Sequence, residues 1–421
     1  MKLVKFGGSS CASAEQFKKV REIVFSDPAR RYVVVSAPGK RFPKDEKVTD
    51  LLYLLYEDLR EGRGMERQLP KIERRYREII DGLSLSLSLE EDFREIRERL
   101  LAGESCAYAA SRGEYLNAKL MAEYLGFPFL DAGELIAFRP DGECDFRETE
   151  RRVGERLRDM EKAVIPGFYG LDPEGRTVTF SRGGSDVTGS LIAAGLHADL
   201  YENWTDVSGF LVADPRIVRK PEVIDYITYR ELRELSYMGA SVLHEDAIFP
   251  VRKEGIPIQI KNTNRPEDHG TMIVANTLKK PRFIITGIAG KKNFCSINIE
   301  KAMMNSEIGF IRKVLSVIEE NGISVEHTPS GIDTMTLFIH QEELISNEQK
   351  VLQGIQRAVN PDLIELEADL ALIAVVGRGM KSARGVAGRV MSALAHDYMA
   401  RRGWRQISMC HWSRSNRERS L

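Results

Sequence analysis

Two glycine-pair loops, each directly after an apolar run, constrain this chain more than any other feature. The first is Lys5-Phe-Gly-Gly-Ser-Ser10, which ends the run that begins at residue 2. The second is Ser181-Arg-Gly-Gly-Ser-Asp186, which follows the run at 176–180. Glycine lets a backbone approach a phosphate closely and turn its amides toward it. Two such loops therefore predict a site for phosphoryl transfer.

The first loop belongs to a predicted βαβ unit. Residues 2–6 are a strand candidate, and residues 13–25 carry apolar side chains at helical spacing. Residues 32–37 form a β-branched run without polar alternation, which is typical of a strand buried in a parallel sheet. The remaining patterns predict strands at 127–132, 176–180, 199–204 and 256–260, and helices within 47–125 (solvated where charge is dense, from 60 to 99) and over 185–195 and 229–245.

Bulk composition excludes several classes of protein. A chain of 421 residues is too long for one compact core, so two or three domains are expected. The net charge of −1 provides no general attraction for nucleic acid or a membrane surface. Five widely spaced cysteines favour a reducing cytoplasm over a disulfide framework. The polar N-terminus predicts no signal peptide, and no apolar run is long enough to span a bilayer.

The C-terminal third has a different pattern, beginning after a boundary predicted at Lys279-Lys-Pro281. Strand-like runs at 284–289, 295–299, 323–326 and 335–339 alternate with helical patterns at 309–321 and 341–359, an order that suggests a ferredoxin-like module. A strand at 370–376 and a helix to 395 look like the start of a second copy. The predicted divisions are 1–278, 279–365, 366–395 and an Arg/Trp-rich tail at 396–421.

The two glycine loops carry the charged candidates. Lys5 can place an ammonium against a transferring phosphoryl group, although the same loop could be an ordinary turn with a solvated lysine. Arg182 offers a planar fork that matches a carboxylate. Asp186 opens a predicted helix, where a carboxylate is also a good first-turn residue.

Further candidates lie at other strand and helix ends. The loop from Trp204 to Arg216 is either a nucleotide-binding loop or a turn built on an Asp-Pro pair. Ser36 and Thr49 have hydroxyls that could meet a substrate or cap a helix. Glu114 could pair with a substrate ammonium or lie on a helix surface. The histidines form no metal-spaced pair, so no metal site is predicted.

Taken together, these motifs resemble the aspartate kinases of the amino-acid kinase family over roughly residues 1–395. The matching segments are Lys5–Ser10, Val35–Lys40, Lys47–Leu52, Ser111–Leu116, Phe180–Gly189, Trp204–Val218 and Met238–His244. Three C-terminal segments resemble ACT domains: Met303–Asn305, Pro329–Thr334 and Val376–Lys381. Several independent motifs in the right order make a chance match implausible.

The resemblance implies a three-layer αβα sandwich with a mainly parallel central sheet, followed by ferredoxin-like ACT modules. It also implies ATP- and Mg²⁺-dependent phosphorylation of the side-chain carboxylate of L-aspartate, the first step toward lysine, threonine and methionine. The implied catalytic residues are Lys5 and Asp186. The implied ATP-binding residues are Lys5, Gly7, Gly8, Ser9, Thr205, Asp206 and Arg216, and the implied aspartate-binding residues are Ser36, Thr49, Glu114 and Arg182.

The ACT resemblance implies feedback control by an end-product amino acid, lysine before threonine, in a homodimer or homotetramer. The implied effector contacts are Met304, Ser306, Ser324, Val325 and Glu326. Two departures stand out: Ser9 replaces the usual threonine, and Ser241 stands where many members carry lysine. Loss of resemblance at His396 suggests a truncated or out-of-frame end. The alternatives are a sister kinase for another carboxylate and a non-catalytic amino-acid sensor.

Overall fold

The structure is a computed structural model that describes residues 1–181, 183–239, 243, 247–276, 283–381 and 383–399. The chain divides into two compact units. The first contains Met1–Ile288 and Val375–Gly379, and the second contains Ala289–Ala374 with the described part of Met380–Leu421. The predicted boundary at 279–281 lies outside the described residues, as does all but the first four residues of the predicted tail.

The first unit is built around a mainly parallel sheet. The strands of this sheet are β1 (Lys2–Phe6), β2 (Arg30–Val35), β3 (Ala163–Pro166), β6 (Leu200–Thr205), β7 (Tyr226–Thr228), β8 (Ile258–Asn262) and β9 (Thr271–Val274). A separate two-stranded hairpin consists of β4 (Tyr169–Leu171) and β5 (Thr177–Thr179). The sheet order is β3-β2-β1-β6-β8-β9-β7, and among its described strand pairs only β8–β9 is antiparallel. The predicted α/β class is therefore confirmed.

Helices flank this sheet. They are α1 (Ala14–Phe25), α2 (Val48–Arg60), α3 (Leu69–Leu83), α4 (Glu90–Leu101), α5 (Cys106–Leu125), α6 (Phe146–Leu157), α7 (Gly184–Gly195), α8 (Tyr229–Tyr237) and α9 (Phe249–Lys253). Alternate residues of β1 face opposite sides of the sheet, because successive side chains of a strand do so. Val4 and Phe6 join the core formed with α1–α5, whereas Lys5 reaches α7.

The strand topology brings several loops to one edge. β2, β1, β6 and β8 are parallel neighbours, so the loops that follow them start at the same carboxyl edge of the sheet. Hydrogen bonds tie these loops together: the Gly39 amide donates to Gly8 O at 2.8 Å, and the Ser10 and Thr263 hydroxyls lie 2.7 Å apart. In open α/β sheets, ligands bind at this edge.

The second unit has the ferredoxin-like order that the sequence predicts. Its elements are β10 (Gly287–Glu300), α10 (Phe310–Glu320), β11 (Val325–His327), β12 (Thr334–His340), α11 (Gln341–Ile345), α12 (Glu348–Val359), β13 (Leu363–Val376) and α13 (Val386–Met399). The strands pair in the order β11-β12-β10-β13. Buried side chains of β10, β12, α10 and α12 form the core of this unit.

Five local predictions were wrong. The helix predicted over 229–245 ends at Tyr237, and the strands predicted at 284–289 and 295–299 form the single strand β10. Residues 127–132 form no strand, only an isolated bridge between Phe129 and Val164. The helix predicted over 341–359 is interrupted, because residues 346–347 separate α11 from α12. The charged segment from 60 to 99 is not uniformly solvated, since Arg75 and Asp92 are 5 % and 7 % exposed. Among the described helices, none combines the length and apolarity needed to cross a bilayer.

Candidate active site

The centre of the site is an ion pair between the two glycine loops. Lys5, the fourth residue of β1, is only 7 % exposed. Its Nζ lies 2.5 Å from Oδ1 of Asp186, which stands in the first turn of α7. Helix α7 begins after Gly183, whose φ of 58° lies in the left-handed region that favours glycine. The structure thus brings together the two residues that the sequence predicts as catalytic.

The first glycine loop turns tightly around this pair. Gly7 donates its amide to Trp204 O at 3.0 Å, and residues Gly8–Cys11 form a 3-10 turn that contains Ser9. A Cβ on Gly7 would lie 3.6 Å from Lys5 Nζ. A Cβ on Gly39 would lie 2.6 Å from the Gly8 backbone, so only glycine permits this approach of the two loops. The loop backbone therefore lies within reach of a group bound at the Lys5 ammonium.

Glu114 places an unusual buried carboxyl group at the same edge. It lies on α5 and is 5 % exposed, and its Oε2 is buried without a hydrogen-bond partner in the described structure. Burial raises the pKa of Glu114 to about 8, although a hydrogen bond from the Ala37 amide and the Lys5 charge act in the opposite direction. A buried carboxyl group with an unused oxygen suits a cationic group of a ligand.

The other predicted substrate residues are placed less uniformly. Ser36 directly follows β2, and its carbonyl oxygen accepts a 2.6 Å hydrogen bond from Asn117 Nδ2. Thr49 is a half-buried residue in the first turn of α2. Arg182 lies outside the described residues, as does Ser241. Ser36 thus lies at the carboxyl edge of the sheet beside α5.

The predicted nucleotide residues follow β6. Thr205 ends that strand, and its hydroxyl is 3.2 Å from the carboxylate of the exposed Asp206. Arg216 lies further along the loop, where its guanidinium is 87 % exposed and pairs with Asp214. The structure therefore places Thr205 and Asp206 at the carboxyl edge of the sheet, and Arg216 in an exposed turn.

The predicted effector residues lie in the second unit. Met304 is buried in its core, and Ser306 is exposed in the same 3-10 turn. The exposed Ser324 precedes β11, which contains the half-buried Val325 and Glu326. The register separates the two groups: the Asn305 amide binds Ile332 O, whereas Val325 lies opposite Ile339 at the other end of β12. One copy of the unit does not bring them together.

Sequence reasoning missed three buried polar residues at this edge. Asn203, on β6, donates to Asp186 Oδ1 at 2.8 Å. Asn117 holds the Ser36 carbonyl. Arg75 donates to Gly39 O at 3.0 Å and to Asp45 Oδ2 at 2.6 Å. Their contacts join residues 17 to 81 positions apart, so only the two consecutive polar residues Glu202-Asn203 within a strand pattern offered a local signal.

Comparison with known proteins agrees with this geometry. Residues 1–262 match the model of the amino acid kinase family. Aspartokinase 3 of Bacillus subtilis is 42 % identical over 441 residues, covering 100 % of this chain and 96 % of that protein. The crystal structure of Clostridium acetobutylicum aspartate kinase, an allosteric enzyme, superposes with a TM-score of 0.87 at 50 % identity, covering 94 % of this chain and 91 % of that one.

Two crystal structures of Escherichia coli aspartokinase III are also similar. One holds aspartate and ADP in an R-state and the other lysine and aspartate in a T-state, with TM-scores of 0.72 and 0.70. Both are 26 % identical, covering 94 % of this chain and 91 % of that one. This chain therefore belongs to the amino acid kinase family and, within it, to the aspartokinases.

Proposed function

We propose that the chain transfers the terminal phosphoryl group of ATP to the side-chain carboxylate of L-aspartate, giving 4-phospho-L-aspartate and ADP. The observation that carries the proposal is the buried Lys5–Asp186 pair beside a tight glycine loop. The E. coli relative was crystallised with both aspartate and ADP, which supports the same pair of ligands here. The product would enter the biosynthesis of lysine, threonine and methionine.

The reaction places modest demands on the protein. The nucleophile is a carboxylate that is already ionised at neutral pH, so no general base is needed. The remaining tasks are to align two anionic groups and to neutralise the charge between them. Lys5 is fixed for this purpose at the end of a central strand, with Asp186 holding its ammonium 2.5 Å away. Glycine amides of the first loop would add hydrogen-bond donors.

The residues present fit ATP with Mg²⁺. A Cβ on Gly7 would lie 3.6 Å from the Lys5 ammonium, so a phosphate bound at that ammonium would lie beside the loop backbone. We assign Gly7, Gly8 and Ser9 to the phosphates, and Thr205, Asp206 and Arg216 to the nucleotide side, with Arg216 near phosphate. Mg²⁺ binds proteins through one or two carboxylates with substrate phosphates, and Asp186 offers a carboxylate here. When bound, MgATP supplies the phosphoryl group and partial shielding of its charge.

Glu114 is the proposed anchor for the aspartate ammonium. Its buried Oε2 lacks a partner in the described structure, and an ammonium would supply one. We assign the α-carboxylate to Arg182 and place Ser36 and Thr49 along the rest of the amino acid. This arrangement would hold the substrate at both ends of its backbone, so that the side-chain carboxylate points toward Lys5.

The first experiment is trapping of the acyl phosphate as a hydroxamate, with ATP, Mg²⁺ and a panel of acceptors. We expect product with aspartate and none with glutamate or N-acetylglutamate. Product with another acceptor only would move the chain to a sister activity. Nucleotide binding without product would favour a non-catalytic sensor.

The matched mutational test compares two lysines. Lys5→Ala removes the buried ammonium and should lower kcat by roughly 10²- to 10³-fold, the range for loss of one preorganised transition-state contact. Lys18→Ala removes an exposed lysine of α1 that pairs with Glu15, and should leave kcat within twofold. Unchanged turnover in folded Lys5→Ala would refute the role of Lys5.

The second unit is the proposed regulatory part. Its ferredoxin-like order fits an ACT module, and the E. coli relative was crystallised with lysine. We propose lysine, with threonine next, as feedback ligand at Met304, Ser306, Ser324, Val325 and Glu326. Because one unit holds these residues at two ends of β12, a shared site would need a second copy, consistent with a homodimer or homotetramer. Titration calorimetry with lysine, threonine and methionine tests the choice of ligand.

A further inference from the structure

Asn203 lies next to Lys5 in the centre of the sheet. In the parallel pairing of β1 with β6, Lys5 is the register partner of Asn203. Side by side in a parallel pair, the two side chains leave the same face of the sheet. Asn203 is 3 % exposed, so its amide has little access to water and depends on a partner within the protein.

That partner is the carboxylate that also holds Lys5. Asn203 Nδ2 donates to Asp186 Oδ1 at 2.8 Å, and the Lys5 ammonium lies 2.5 Å from the same oxygen. The terminal torsion of an aspartate is broad and roughly twofold, so one contact does not fix its carboxylate plane. Two donors from neighbouring strands restrict it much further. Without Asn203, the carboxylate would have one of these two restraints.

Strand β6 also holds Asp186 by its backbone. Tyr201, two residues before Asn203 and therefore on the same face, donates its hydroxyl to Asp186 O at 3.2 Å. Helix α7 packs closely against Tyr201 and has a glycine, Gly189, at the point of contact. A Cβ on Gly189 would lie only 2.7 Å from the Tyr201 oxygen. Asp186, in the first turn of α7, is thus hydrogen-bonded to β6 through both its main-chain oxygen and its side-chain carboxylate.

We propose that Asn203 is a positioning residue for phosphoryl transfer: its amide orients the Asp186 carboxylate, which in turn fixes the Lys5 ammonium. This inference rests on the proposed kinase activity. A buried asparagine needs a hydrogen bond wherever it lies, so burial alone would indicate only a structural role. The acceptor of its hydrogen bond distinguishes a positioning role from a purely structural one. Asn203 donates to the same Asp186 oxygen that binds the Lys5 ammonium.

The test is a double-mutant cycle in the full chain. Asn203→Leu keeps the side-chain size and removes the amide. We expect kcat to fall about 10- to 100-fold, as for loss of a hydrogen bond to a charged group, with both KM values within twofold. In an Asp186→Asn background, measured by single-turnover product formation, the same replacement should cost less than twofold, because residues that act through each other are not additive.

Gln259→Leu is the matched control. Gln259 is a buried amide on the adjacent strand β8 that donates to His269 O, and its loss should change kcat less than twofold. Equal losses from Asn203→Leu in both backgrounds, or unchanged kcat in the folded single variant, would overturn the proposal. If Asn203→Leu does not fold, Asn203→Ser, whose side chain is too short for this bond, takes its place in the cycle.

The activity of the wild-type protein toward different acceptors distinguishes a failure of this inference from a failure of the proposed function. If wild type phosphorylates a carboxylate other than that of aspartate, the proposed substrate fails, and the cycle is run with the acceptor that is used. If wild type phosphorylates none, both the proposed function and the role of Asn203 fail. With an active wild type, an additive cycle rejects Asn203 and leaves the proposed function intact.

Discussion

Glu114 is a buried carboxyl group whose titration should lower the stability of the ligand-free protein. Burial raises its pKa to about 8, from 4.5 for an exposed glutamate. Between these two pH values, the native state retains a proton that the unfolded state has lost. Each pH unit in that window therefore costs about 1.4 kcal/mol of unfolding free energy. The cost is absent below pH 4.5 and reaches its full size above pH 8.

Glu114→Gln should remove this cost. We expect the variant to gain up to about 4 kcal/mol of unfolding free energy at pH 7.5 (three pH units at about 1.4 kcal/mol each), no gain at pH 4.5, and a weaker affinity for aspartate. Urea unfolding of the ligand-free protein at several pH values measures the first effect, and KM for aspartate measures the last. Glu123→Gln, at an exposed position of α5, is the matched control. A gain that does not depend on pH would contradict the titration of Glu114.

Aspartate binding should also release a proton from Glu114. An ammonium beside the carboxylate favours its charged form, so the pKa of Glu114 should fall below neutral in the complex. Calorimetric titration of aspartate at pH 7 in two buffers with different ionisation enthalpies measures the proton count. We expect release of up to one proton in wild type and much less in Glu114→Gln. Equal proton release in both would assign the effect to another group.

At the scale of elements, helix α3 holds two loops of the site through the hydrogen bonds of one side chain. Arg75 projects from this helix and is 5 % exposed. Its guanidinium donates to Gly39 O and Glu46 O, both at 3.0 Å, and to Asp45 Oδ2 at 2.6 Å. Gly39 in turn donates its amide to Gly8 O. Arg75 also donates to Ala12 O at 3.5 Å, so the segments that follow β1 and β2 are both bound by this one side chain.

Arg75→Met should loosen both loops. We expect a loss of about 1.5–3 kcal/mol of unfolding free energy, as for hydrogen bonds to charged groups, and an increase in KM for ATP and aspartate. Arg74→Met, at the exposed neighbouring position of α3, should change neither quantity appreciably. Thermal unfolding and steady-state kinetics of the two variants provide the comparison. Equal effects at both positions would show that the hydrogen bonds of Arg75 make no specific contribution to stability or to KM.

The same helix shows what local patterns can and cannot predict. Apolar spacing predicts the helices between 47 and 125, and β-branched runs predict β1 and β2, because both signals are local. The inward direction of Arg75 among many charged neighbours depends on loops 29 to 63 residues away. Similarly, Lys5 and Asp186 were predictable from their glycine loops, whereas Asn203 becomes significant only through strand register.

At the scale of the whole molecule, the chain returns to the first unit after forming the second. Residues Val375–Gly379 pack as part of the first unit. There, Thr286 donates its amide to Val376 O at 2.7 Å, and Arg378 binds Glu231, a residue 147 positions earlier, through its amide at 3.0 Å and its Nη1 at 2.9 Å. The first unit is thus completed by a segment that follows most of the second.

Glu231 accepts the hydrogen bonds from Arg378 in this returning segment. It is 4 % exposed and closes the capping box at the start of α8. Burial alone would raise its pKa, but hydrogen bonds from Thr286, Thr228 and Arg378 outweigh that effect and lower it. The native state thus favours the carboxylate. The stabilisation is full above pH 4.5, the unfolded value, and is lost as the pH falls through the folded pKa.

Arg378→Met should therefore destabilise the first unit by about 1.5–3 kcal/mol at pH 7, because it removes hydrogen bonds to a buried carboxylate. The difference from wild type should shrink below pH 4.5, where protonation of Glu231 weakens the interaction in both proteins. Tryptophan fluorescence in a Trp404→Phe, Trp412→Phe background reports on Trp204 alone, which is buried in the first unit, and so follows the unfolding of this unit. Arg384→Met, at an exposed position six residues later, is the control. A difference of constant size from pH 7 to pH 3 would mean that Arg378 stabilises the unit by packing, independently of the Glu231 charge.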